Sequence, residues 1–427
     1  MSKVILKKMV LIDPLSKYHN KTVDILINKS IIEKVGSNLK VSGAKEYYFP
    51  ENKACVSPGW IDMYASFCDP GYEYKEDIDT GLRAAESGGF TAVAVMPYTK
   101  PCVQSKSEIE YLIKKSVGSL VSLYPYGAIT KEREGKELTE MVDMHNSGAV
   151  GFSDGLKPQE QSGMILRALQ YVKQFNGVIL DYPEDSYLSE QSMMHEGKVS
   201  TSLGLKGVPE IAESLAVYRN IALTSYTNSK LHFAHLSSAS GVRLVKKAKN
   251  DKLGISASVS SFHLFFDDTT LHDFDVNYKV RPVLRGKSDR KALLKAVIDG
   301  TIDVVCSNHM PHDKESKDIE FDYAAPGVIN LETSFSLLRM ALGAEFKTDL
   351  IYKLFIKNPR KILGISIPRI AEGEQADLTV FDPDYKWTYL KEKKSSKSSN
   401  TPLFGSELTG KPLYIYNNGK GKDLIKT

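Results

Sequence analysis

The sequence predicts an α/β fold: a (β/α)8 barrel of the TIM type, with a small β-sandwich domain built from both ends of the chain. Two observations predict the barrel. Eight short runs rich in Val, Ile and Phe cross the middle of the chain, and segments with helical periodicity separate most of them. A third observation predicts the small domain, because both chain ends consist of short alternating runs bounded by turn-forming residues. We therefore expect residues 1–52 and 366–427 to form the small domain and residues 53–365 to form the barrel.

Each of the eight apolar runs is a candidate barrel strand. They are residues 55–62, 90–96, 120–130, 149–154, 177–181, 231–236, 254–258 and 302–307. Clear helical periodicity is found in residues 79–87, 107–115, 137–145, 164–174, 242–249 and 288–299. Alternation of strands with helices favours a parallel sheet. An open doubly wound sheet is the alternative, but no glycine-rich phosphate-binding fingerprint follows the first strand.

The chain ends have a different pattern. Short alternating strands are expected at residues 3–11, 22–28 and 30–35, and again at residues 377–381 and 410–416. A Lys/Ser-rich stretch, residues 391–399, lies between the last two and has no apolar periodicity. We expect this stretch to be an exposed, mobile loop.

Composition excludes several classes of protein. The 427 residues carry 56 Lys and Arg against 52 Asp and Glu, without a long run of one sign, which argues against a nucleic-acid partner. No stretch approaches the roughly 18 uninterrupted apolar residues of a membrane helix, and the first residues lack the apolar core of a secretory signal. The four cysteines are too few and too scattered for a disulfide framework. We expect a cytoplasmic protein without a membrane partner.

In a barrel of this type, functional side chains lie just beyond the carboxyl ends of the strands. The motifs that surround these positions are specific. They include Val56-Ser-Pro-Gly-Trp-Ile-Asp-Met63, Tyr74-Lys-Glu-Asp77, Glu196-Gly-Lys-Val-Ser-Thr201, Leu203-Gly-Leu-Lys-Gly-Val-Pro-Glu-Ile-Ala-Glu213 and Ala376-Asp-Leu-Thr-Val-Phe-Asp-Pro383. Together they resemble the dihydroorotases of the amidohydrolase superfamily, in particular the type fused to or associated with aspartate transcarbamoylase. The resemblance runs nearly from end to end and implies a zinc-assisted hydrolase that interconverts dihydroorotate and carbamoyl aspartate in pyrimidine synthesis.

This chain differs from the dihydroorotases that it resembles at their metal-binding positions. The first strand of these dihydroorotases ends in a His-x-His pair that binds metal, and this chain has Tyr64-Ala65-Ser66 there. Tyr182 stands at the position of the strand-five histidine, and a phenol is a much weaker zinc ligand than a neutral imidazole. Asn308 stands at the position of the strand-eight aspartate, which ligates metal and moves the proton. An amide cannot take up that proton at neutral pH.

The residues that hold the substrate carboxylate in the family are also altered. Cys68 replaces the arginine that follows the His-x-His pair, and Tyr98 replaces the asparagine that follows the second strand. The family positions that are retained are Asp154, His235, Asn277 and His312. We expect the three tyrosines at positions 64, 98 and 182 to fill the former pocket with bulk.

The altered positions predict loss of the metal centre. Asp154 and His235 are two weak candidate ligands, whereas a catalytic zinc site generally has three protein ligands. A structural hydrogen-bonding role is favoured for both residues. The spacing Cys306-x-x-His309-x-x-His312 is not expected to form a new zinc site. No cofactor is therefore expected, or zinc if a reduced site persists.

Three functions remain open. The leading hypothesis is a non-catalytic homologue of dihydroorotase with a structural or regulatory role, for which the resemblance suggests aspartate transcarbamoylase as partner and a homodimer as the assembly. The first alternative is a zinc-dependent dihydroorotase, or a hydrolase of another cyclic amide, that uses a reduced metal site. The second is a small-molecule sensor that binds a pyrimidine intermediate without converting it.

Overall fold

A computed structural model describes residues 3–49 and 53–426 of the chain. The strands are β1 (Val4–Leu11), β2 (Thr22–Asn28), β3 (Ile31–Gly36), β4 (Lys45–Tyr47), β5 (Cys55–Pro58), β6 (Trp60–Ala65), β7 (Phe90–Val95), β8 (Ser122–Pro125), β9 (Ile179–Asp181), β10 (Met194–His195), β11 (Gly207–Val208), β12 (Leu231–Phe233), β13 (Ile255–Ser260), β14 (Val304–Cys306), β15 (Leu378–Thr388), β16 (Glu407–Asn417) and β17 (Lys420–Asp423). Residues 1–2, 50–52 and 427 of the predicted small domain lie outside the described residues.

The helices lie mainly between the barrel strands. They are α1 (Ile78–Ser87), α2 (Lys106–Ser116), α3 (Met141–Asn146), α4 (Ser162–Lys173), α5 (Lys198–Leu203), α6 (Glu210–Thr227), α7 (Ala239–Asn250), α8 (Ser261–Phe265), α9 (Lys287–Asp299), α10 (Ser334–Leu342), α11 (Thr348–Ile351) and α12 (Asn358–Leu363). All six segments predicted from helical periodicity overlap a helix. In the part of the chain that the structure describes, none of these helices is long and apolar enough to cross a membrane.

The predicted barrel is confirmed. Strands β6, β7 and β8 form one parallel group, and β9, β12, β13 and β14 form another. Phe152 bridges the groups by pairing with Gly127 on one side and Ile179 on the other. Ala65 pairs with His309, which joins the first strand position to the last. The fourth predicted strand, residues 149–154, is thus reduced to one bridging residue, yet the ring has eight positions.

The strand predicted over residues 55–62 is two strands that belong to different sheets. β5 pairs antiparallel with β15 and parallel with β1, and both of these strands belong to the sheet of the small domain. β6 instead begins the barrel. Gly59 separates them. A Cβ atom at this position would lie 1.7 Å from Asp377 Oδ1 and 2.1 Å from Thr91 Oγ1, so only glycine fits where the chain passes between the sheets. Apolar residues on both sides of this glycine concealed the break from sequence reasoning.

The small domain contains strands from both chain ends, as expected. Its strands follow the order β17-β16-β15-β5-β1-β2-β3, and β4 pairs with the other part of β1. The register of β1 shifts between Leu6 and Met9, where Lys8 has a φ of 53°. The sheet folds over into a sandwich around one apolar core that draws on strands β1, β2, β3, β5, β15 and β16. The boundaries at residues 52 and 366 stay predictions.

The prediction of an exposed loop at residues 391–399 is wrong for part of the stretch, because Ser396 and Ser398 are buried although Lys391, Glu392, Lys393, Lys397 and Ser399 are exposed. Residues 395–400, here named the strap, include three buried polar side chains, Ser396, Ser398 and Asn400. The Glu332 carboxylate accepts hydrogen bonds from the main-chain N–H groups of Ser395 and Ser396. Hydrogen bonds therefore hold the strap against the barrel, and a pattern search for apolar residues cannot detect that kind of attachment.

Candidate active site at the barrel mouth

The fold brings most of the predicted site residues to one end of the barrel. Each of them lies at or just beyond the carboxyl end of a strand position: Tyr64 within β6 near its end, Ser66 and Cys68 after β6, Tyr98 after β7, Asp154 after the Phe152 bridge, Tyr182 after β9, His235 after β12 and Asn308 after β14. The parallel strands place these ends together, as the sequence predicts. The orientation of each polar atom then decides whether its side chain can bind metal or substrate.

Two tyrosines close the centre of this end. The Tyr64 and Tyr98 hydroxyl groups are hydrogen-bonded to each other, and the Tyr98 hydroxyl also accepts the N–H of Leu156 at 2.6 Å. The Tyr64 ring stands edge-on to the His235 ring, with 4.1 Å between centroids. Burial raises the pKa of both tyrosines well above the ordinary value, so neither hydroxyl forms a phenolate that could bind a cation.

The third tyrosine has a different partner. The Tyr182 hydroxyl donates to Glu184 Oε2 at 2.8 Å, and Glu184 also forms an ion pair with Arg281 at 3.1 Å. Burial, followed by the negative charge of Glu184, raises the pKa of Tyr182 well above the ordinary value. Tyr182 is therefore a neutral hydrogen-bond donor to a carboxylate.

The carboxylate of Asp154 is fully used by neighbouring donors. It accepts the N–H groups of Ile129 at 2.8 Å and Thr130 at 3.0 Å, the Thr130 hydroxyl at 2.5 Å, and the amide of Gln159. Burial raises its pKa, and these hydrogen bonds oppose the rise. The two oxygens of Asp154 thereby hold the loop after the third strand.

His235 keeps one ring nitrogen unpartnered. Its Nδ1 lies 3.3 Å from the Cys306 thiol, whereas Nε2 has no hydrogen-bond partner among the described residues. The residue is 1% exposed, and burial lowers the pKa of its imidazole well below the ordinary value. His235 is thus a neutral, buried side chain that contacts Tyr64 and Cys306.

At the eighth strand, Asn308 cannot replace a carboxylate. Its amide donates to the Arg281 carbonyl oxygen at 2.9 Å, and its own Oδ1 is buried without a partner among the described residues. Near the first strand, Ser66 Oγ and Cys68 Sγ lie 3.6 Å apart. Burial raises the pKa of the Cys68 thiol to about 11, so this position holds no charge at neutral pH.

The residues present do not fit the zinc that the resemblance implies. Across residues 3–49 and 53–426, no group of three His, Cys, Asp or Glu side chains is arranged to hold a metal ion. Asp154 is turned towards its four donors, and a single nitrogen of His235 is insufficient for a catalytic site. The three residues of the Cys306-x-x-His309-x-x-His312 spacing also diverge. His309 faces Glu76 at 3.4 Å, and His312 Nε2 faces the Pro326 carbonyl oxygen at 3.1 Å.

Two predicted residues line a separate surface cavity. Asn277 and His312 border a cavity of about 620 Å³ whose other side is formed partly by the strap. The main-chain N–H of His312 donates to Asn400 Oδ1 at 3.0 Å, and burial lowers the pKa of the His312 imidazole to about 4. His312 is therefore a neutral side chain at neutral pH, and its main chain holds the strap.

Sequence reasoning missed the acidic groups beneath the strap. Glu76 is buried and accepts hydrogen bonds from the Ser396 hydroxyl and from the N–H of Lys397 at 3.0 Å. Glu332 is also buried. It accepts hydrogen bonds from the Tyr389 hydroxyl and from the main-chain N–H of Ser395. Neither glutamate stands at a strand end. Glu76 lies within the Tyr74-Lys-Glu-Asp77 motif, but the motif does not indicate a contact with residues more than 300 positions away, and Glu332 lies in none of the quoted motifs.

Comparison with solved structures first defines the class of fold. The chain superposes on L-hydantoinase (dihydropyrimidinase) from Arthrobacter aurescens with a TM-score of 0.82, 20% identity, and coverage of 99% of this chain and 96% of the other. Dihydropyrimidinase from Brevibacillus agri gives a TM-score of 0.82 with 21% identity, covering 98% of this chain and 94% of the other. The chain therefore shares the fold of these two proteins, a barrel with a β-sandwich domain.

Comparison of sequences then gives the family. A dihydro-orotase-like family model matches residues 53–240. A dihydroorotase of Pelotomaculum thermopropionicum is 38% identical over 422 residues, which is 98% of each chain. A dihydroorotase of Geobacter metallireducens is 37% identical over 411 residues, which is 96% of each chain. The chain belongs to the dihydroorotase family, as its motifs predict.

Proposed function

We propose that this protein is a non-catalytic member of the dihydroorotase family that serves pyrimidine biosynthesis in a structural or regulatory role. One observation carries the proposal. The polar groups at the family's metal positions are each hydrogen-bonded to other neighbours: Tyr64 to Tyr98, Asp154 to the Ile129 N–H, Tyr182 to Glu184 and His235 to Cys306. Among the described residues they do not form a group that could hold a metal ion. Membership of the family supports the connection with pyrimidine biosynthesis.

Each step of amide hydrolysis would lack a group. Activation of water at neutral pH needs a metal ion or a general base, and Asn308 offers neither a charge nor a free electron pair that is basic at this pH. Binding of a substrate carboxylate needs a cation or several donors, and Cys68 and Tyr98 supply neutral side chains that are already hydrogen-bonded. Loss of the base alone would be expected to lower turnover by about two to four orders of magnitude.

Steric closure supports the same proposal. The Tyr98 ring lies directly over Gly155, where a Cβ atom would be 1.7 Å from Tyr98 Cε1. The Arg133 guanidinium lies 4.9 Å from the centre of the same ring on another side. Tyr98 is thus packed against Gly155 and Arg133 at the barrel mouth, which favours a structural protein over an enzyme with a reduced metal site.

The primary test is hydrolysis of dihydroorotate by the purified protein with added zinc. We expect no turnover. A Tyr64→His, Ser66→His, Tyr182→His, Asn308→Asp variant serves as the control, because it restores the expected ligand types, and we expect it to retain more zinc than the natural chain after gel filtration. Turnover of the natural chain at rates usual for dihydroorotases, with zinc bound near one equivalent and lost in Asp154→Asn, would instead establish the zinc-dependent alternative.

The proposed partner is aspartate transcarbamoylase, and the proposed location is the cytoplasm. Support for the partner comes from the resemblance to the dihydroorotases that are associated with that enzyme. Gel filtration of the two purified proteins, alone and mixed, tests it directly, and we expect a new species of larger mass in the mixture. Unchanged elution would remove the partner from the proposal. Thermal stabilisation by dihydroorotate or carbamoyl aspartate without turnover would favour a sensor.

A further inference from the structure

A cavity of about 310 Å³ opens at the amino end of the barrel. Four strands that neighbour one another in the barrel border it with a residue at, or immediately before, their first position: Val178 before β9, Lys230 before β12, Ile255 in β13 and Asp303 before β14. These strands are parallel, so their carboxyl ends, which hold the altered metal positions, lie at the opposite end of the barrel. The cavity is therefore separate from the site at the barrel mouth.

Helix α12 forms the other wall of the cavity, to which it contributes Asn358, Lys361 and Ile362. The Asn358 amide donates to the Asp303 carbonyl oxygen at 2.9 Å, which attaches the helix to the start of β14. Ile362 packs against the apolar interior of the barrel. The cavity thus lies between strands and a helix that are attached to each other.

The walls of the cavity are largely aliphatic. Val178, Leu253, Ile255 and Ile362 border it, and Leu253 and Ile362 are only half-buried, so part of this apolar surface meets solvent. Removal of one CH2 group of a ligand from water strengthens binding by about fourfold when the group is fully buried. The walls therefore favour a ligand with an aliphatic part.

The charges that border the cavity are not balanced. The Asp303 carboxylate is already paired, because Lys249 Nζ lies 2.8 Å and 2.7 Å from its two oxygens and the Ala257 N–H donates to it at 2.9 Å. Burial raises the pKa of Asp303, and the charges of Lys249 and Lys361 oppose this rise. Lys230 and Lys361 form no ion pair with any described residue. Since Lys249 already neutralises Asp303, these two lysines leave an excess of positive charge beside the cavity.

The side of the cavity that faces the barrel interior is neutral. Ser256 borders the cavity there, and its hydroxyl lies 2.9 Å from His232 Nδ1. Burial lowers the pKa of the His232 imidazole to about 3, so this ring carries no charge at neutral pH. Among the described residues that border the cavity, Lys230, Lys361 and Asp303 are the charged ones.

We propose that this cavity is a binding site for a small amphipathic carboxylate, an organic acid with an aliphatic chain. Lys230 and Lys361 are exposed, so a carboxylate can reach both of them, and the aliphatic chain contacts the apolar walls. An inorganic anion would leave these walls unused, and a neutral ligand would leave the two positive charges unpaired. This inference does not depend on the proposed function, because the cavity and the altered metal positions lie at opposite ends of the barrel.

Isothermal titration calorimetry of the full-length chain with octanoate, below the concentration at which it forms micelles, tests the proposal. We expect one octanoate per chain. Octanamide has the same chain length without the charge, and we expect it to bind about threefold more weakly, as an ion pair near the surface would predict. Butyrate lacks four CH2 groups, and we expect its affinity to be lower by at least about tenfold.

Variants assign the binding to this cavity. Lys230→Met and Lys361→Met keep an aliphatic side chain and remove the charge, so we expect each to weaken octanoate by about threefold without affecting octanamide. Leu253→Ala removes part of the apolar wall and should weaken both compounds. Lys291→Met, at an exposed position of α9 away from the cavity, is the matched control and should bind octanoate as the natural chain does. Circular dichroism verifies that each variant is folded.

Two results would overturn the proposal. Absence of heat of binding with octanoate at millimolar concentrations would show that the cavity does not take an amphipathic carboxylate. Octanoate binding that is unchanged in Lys230→Met, Lys361→Met and Leu253→Ala would place the ligand on another surface.

Discussion

Asp154 stands at a motif position for which two roles compete, metal ligation and hydrogen bonding within the fold. Its position after the fourth strand position is that of a metal ligand in the family that the motifs resemble. Its four hydrogen bonds come from Ile129, Thr130 and Gln159, which are local to the loops around it. A carboxylate in this setting stabilises the fold, since it satisfies buried donors that would otherwise be unpaired.

Replacement of Asp154 by asparagine separates the two roles. The side-chain amide introduced by Asp154→Asn would leave one acceptor oxygen and place an NH2 group against main-chain donors. We expect the free energy of unfolding to fall by about 2–3 kcal/mol, without a change in zinc content. Urea unfolding and metal analysis measure both quantities, with Asp318→Asn on the exposed surface as control. Loss of bound zinc without loss of stability would contradict the structural role.

Glu332 gives a pH dependence that can be assigned to one carboxyl. Burial raises its pKa from 4.5 to about 7, although three donors from Tyr389, Ser395 and Ser396 oppose the rise. Between pH 4.5 and 7 the unfolded chain has lost this proton and the folded chain still holds it. The contribution of Glu332 to the free energy of unfolding therefore falls as the pH rises through this window.

A Glu332→Gln variant should lack that decline, because glutamine stays neutral at every pH in the range. We expect the stability of the natural chain relative to the variant to fall by up to about 3 kcal/mol from pH 4.5 to pH 8. Urea unfolding at a series of pH values measures the difference, and Glu315→Gln, at an exposed position, is the control. Parallel profiles for the natural chain and Glu332→Gln would show that Glu332 titrates normally in the fold.

At the scale of elements, the strap shows that polarity in sequence does not imply exposure. Asn400 contributes three side-chain hydrogen bonds: its oxygen accepts the His312 N–H, and its amide donates to the carbonyl oxygens of Met310 and Gly327. Lys394 Nζ donates to the carbonyl oxygens of Ser396 and Lys397. The segment is thus tied down by polar contacts along its length.

Trypsin tests the attachment of the strap, because Lys394 and Lys397 are cleavage sites within and beside it. We expect the native chain to resist cleavage there. Asn400→Ala removes three hydrogen bonds and leaves buried groups unpaired, which lowers the free energy of local opening by about 2 kcal/mol and speeds cleavage at least tenfold. Asn250→Ala, at the exposed end of α7, should cleave at the natural rate. Rapid cleavage of the native chain would restore the mobile-loop interpretation.

At the scale of the whole molecule, an aromatic cluster joins the barrel to the small domain. The Trp60 ring of β6 lies 5.0 Å from the Phe335 ring of α10, 5.4 Å from Phe355 and 5.1 Å from the Phe381 ring of β15. Phe381 belongs to the small sheet but is buried against the barrel. The two parts share a core, so they are expected to stabilise each other.

Phe381→Ala tests whether the barrel and the small domain depend on their shared core. Deletion of a buried phenylalanine side chain costs about 3–5 kcal/mol, and here we expect the loss to reach the barrel as well as the small sheet. In a Trp387→Phe background, Trp60 is the remaining tryptophan, so denaturant unfolding followed by its fluorescence reports on the barrel. We expect its midpoint to fall. A midpoint equal to that of the Trp387→Phe chain would mean that the barrel unfolds independently of the small domain.

Much of the fold could be predicted because periodicity and residue type are local properties. The alternation of apolar runs with helical segments identified seven barrel strands and the site of the Phe152 bridge, and the altered positions at 64, 182 and 308 were visible as residue identities. The split at Gly59 was missed, because apolar residues continue on both sides of it. The strap was missed because its burial depends on glutamates more than 60 residues away in the sequence.

The sequence by itself determined the family, the barrel with its small domain, and the identity of every residue at the barrel mouth. The tertiary structure alone decided which atoms those residues bond, which polar segment is buried, and which residues border the cavity at the amino end of the barrel. The physical reason is that hydrogen bonds and burial are made with partners distant in sequence. A carboxylate such as that of Asp154 has the same letter whether it faces a metal ion or four hydrogen-bond donors, and only the positions of its neighbours distinguish the two.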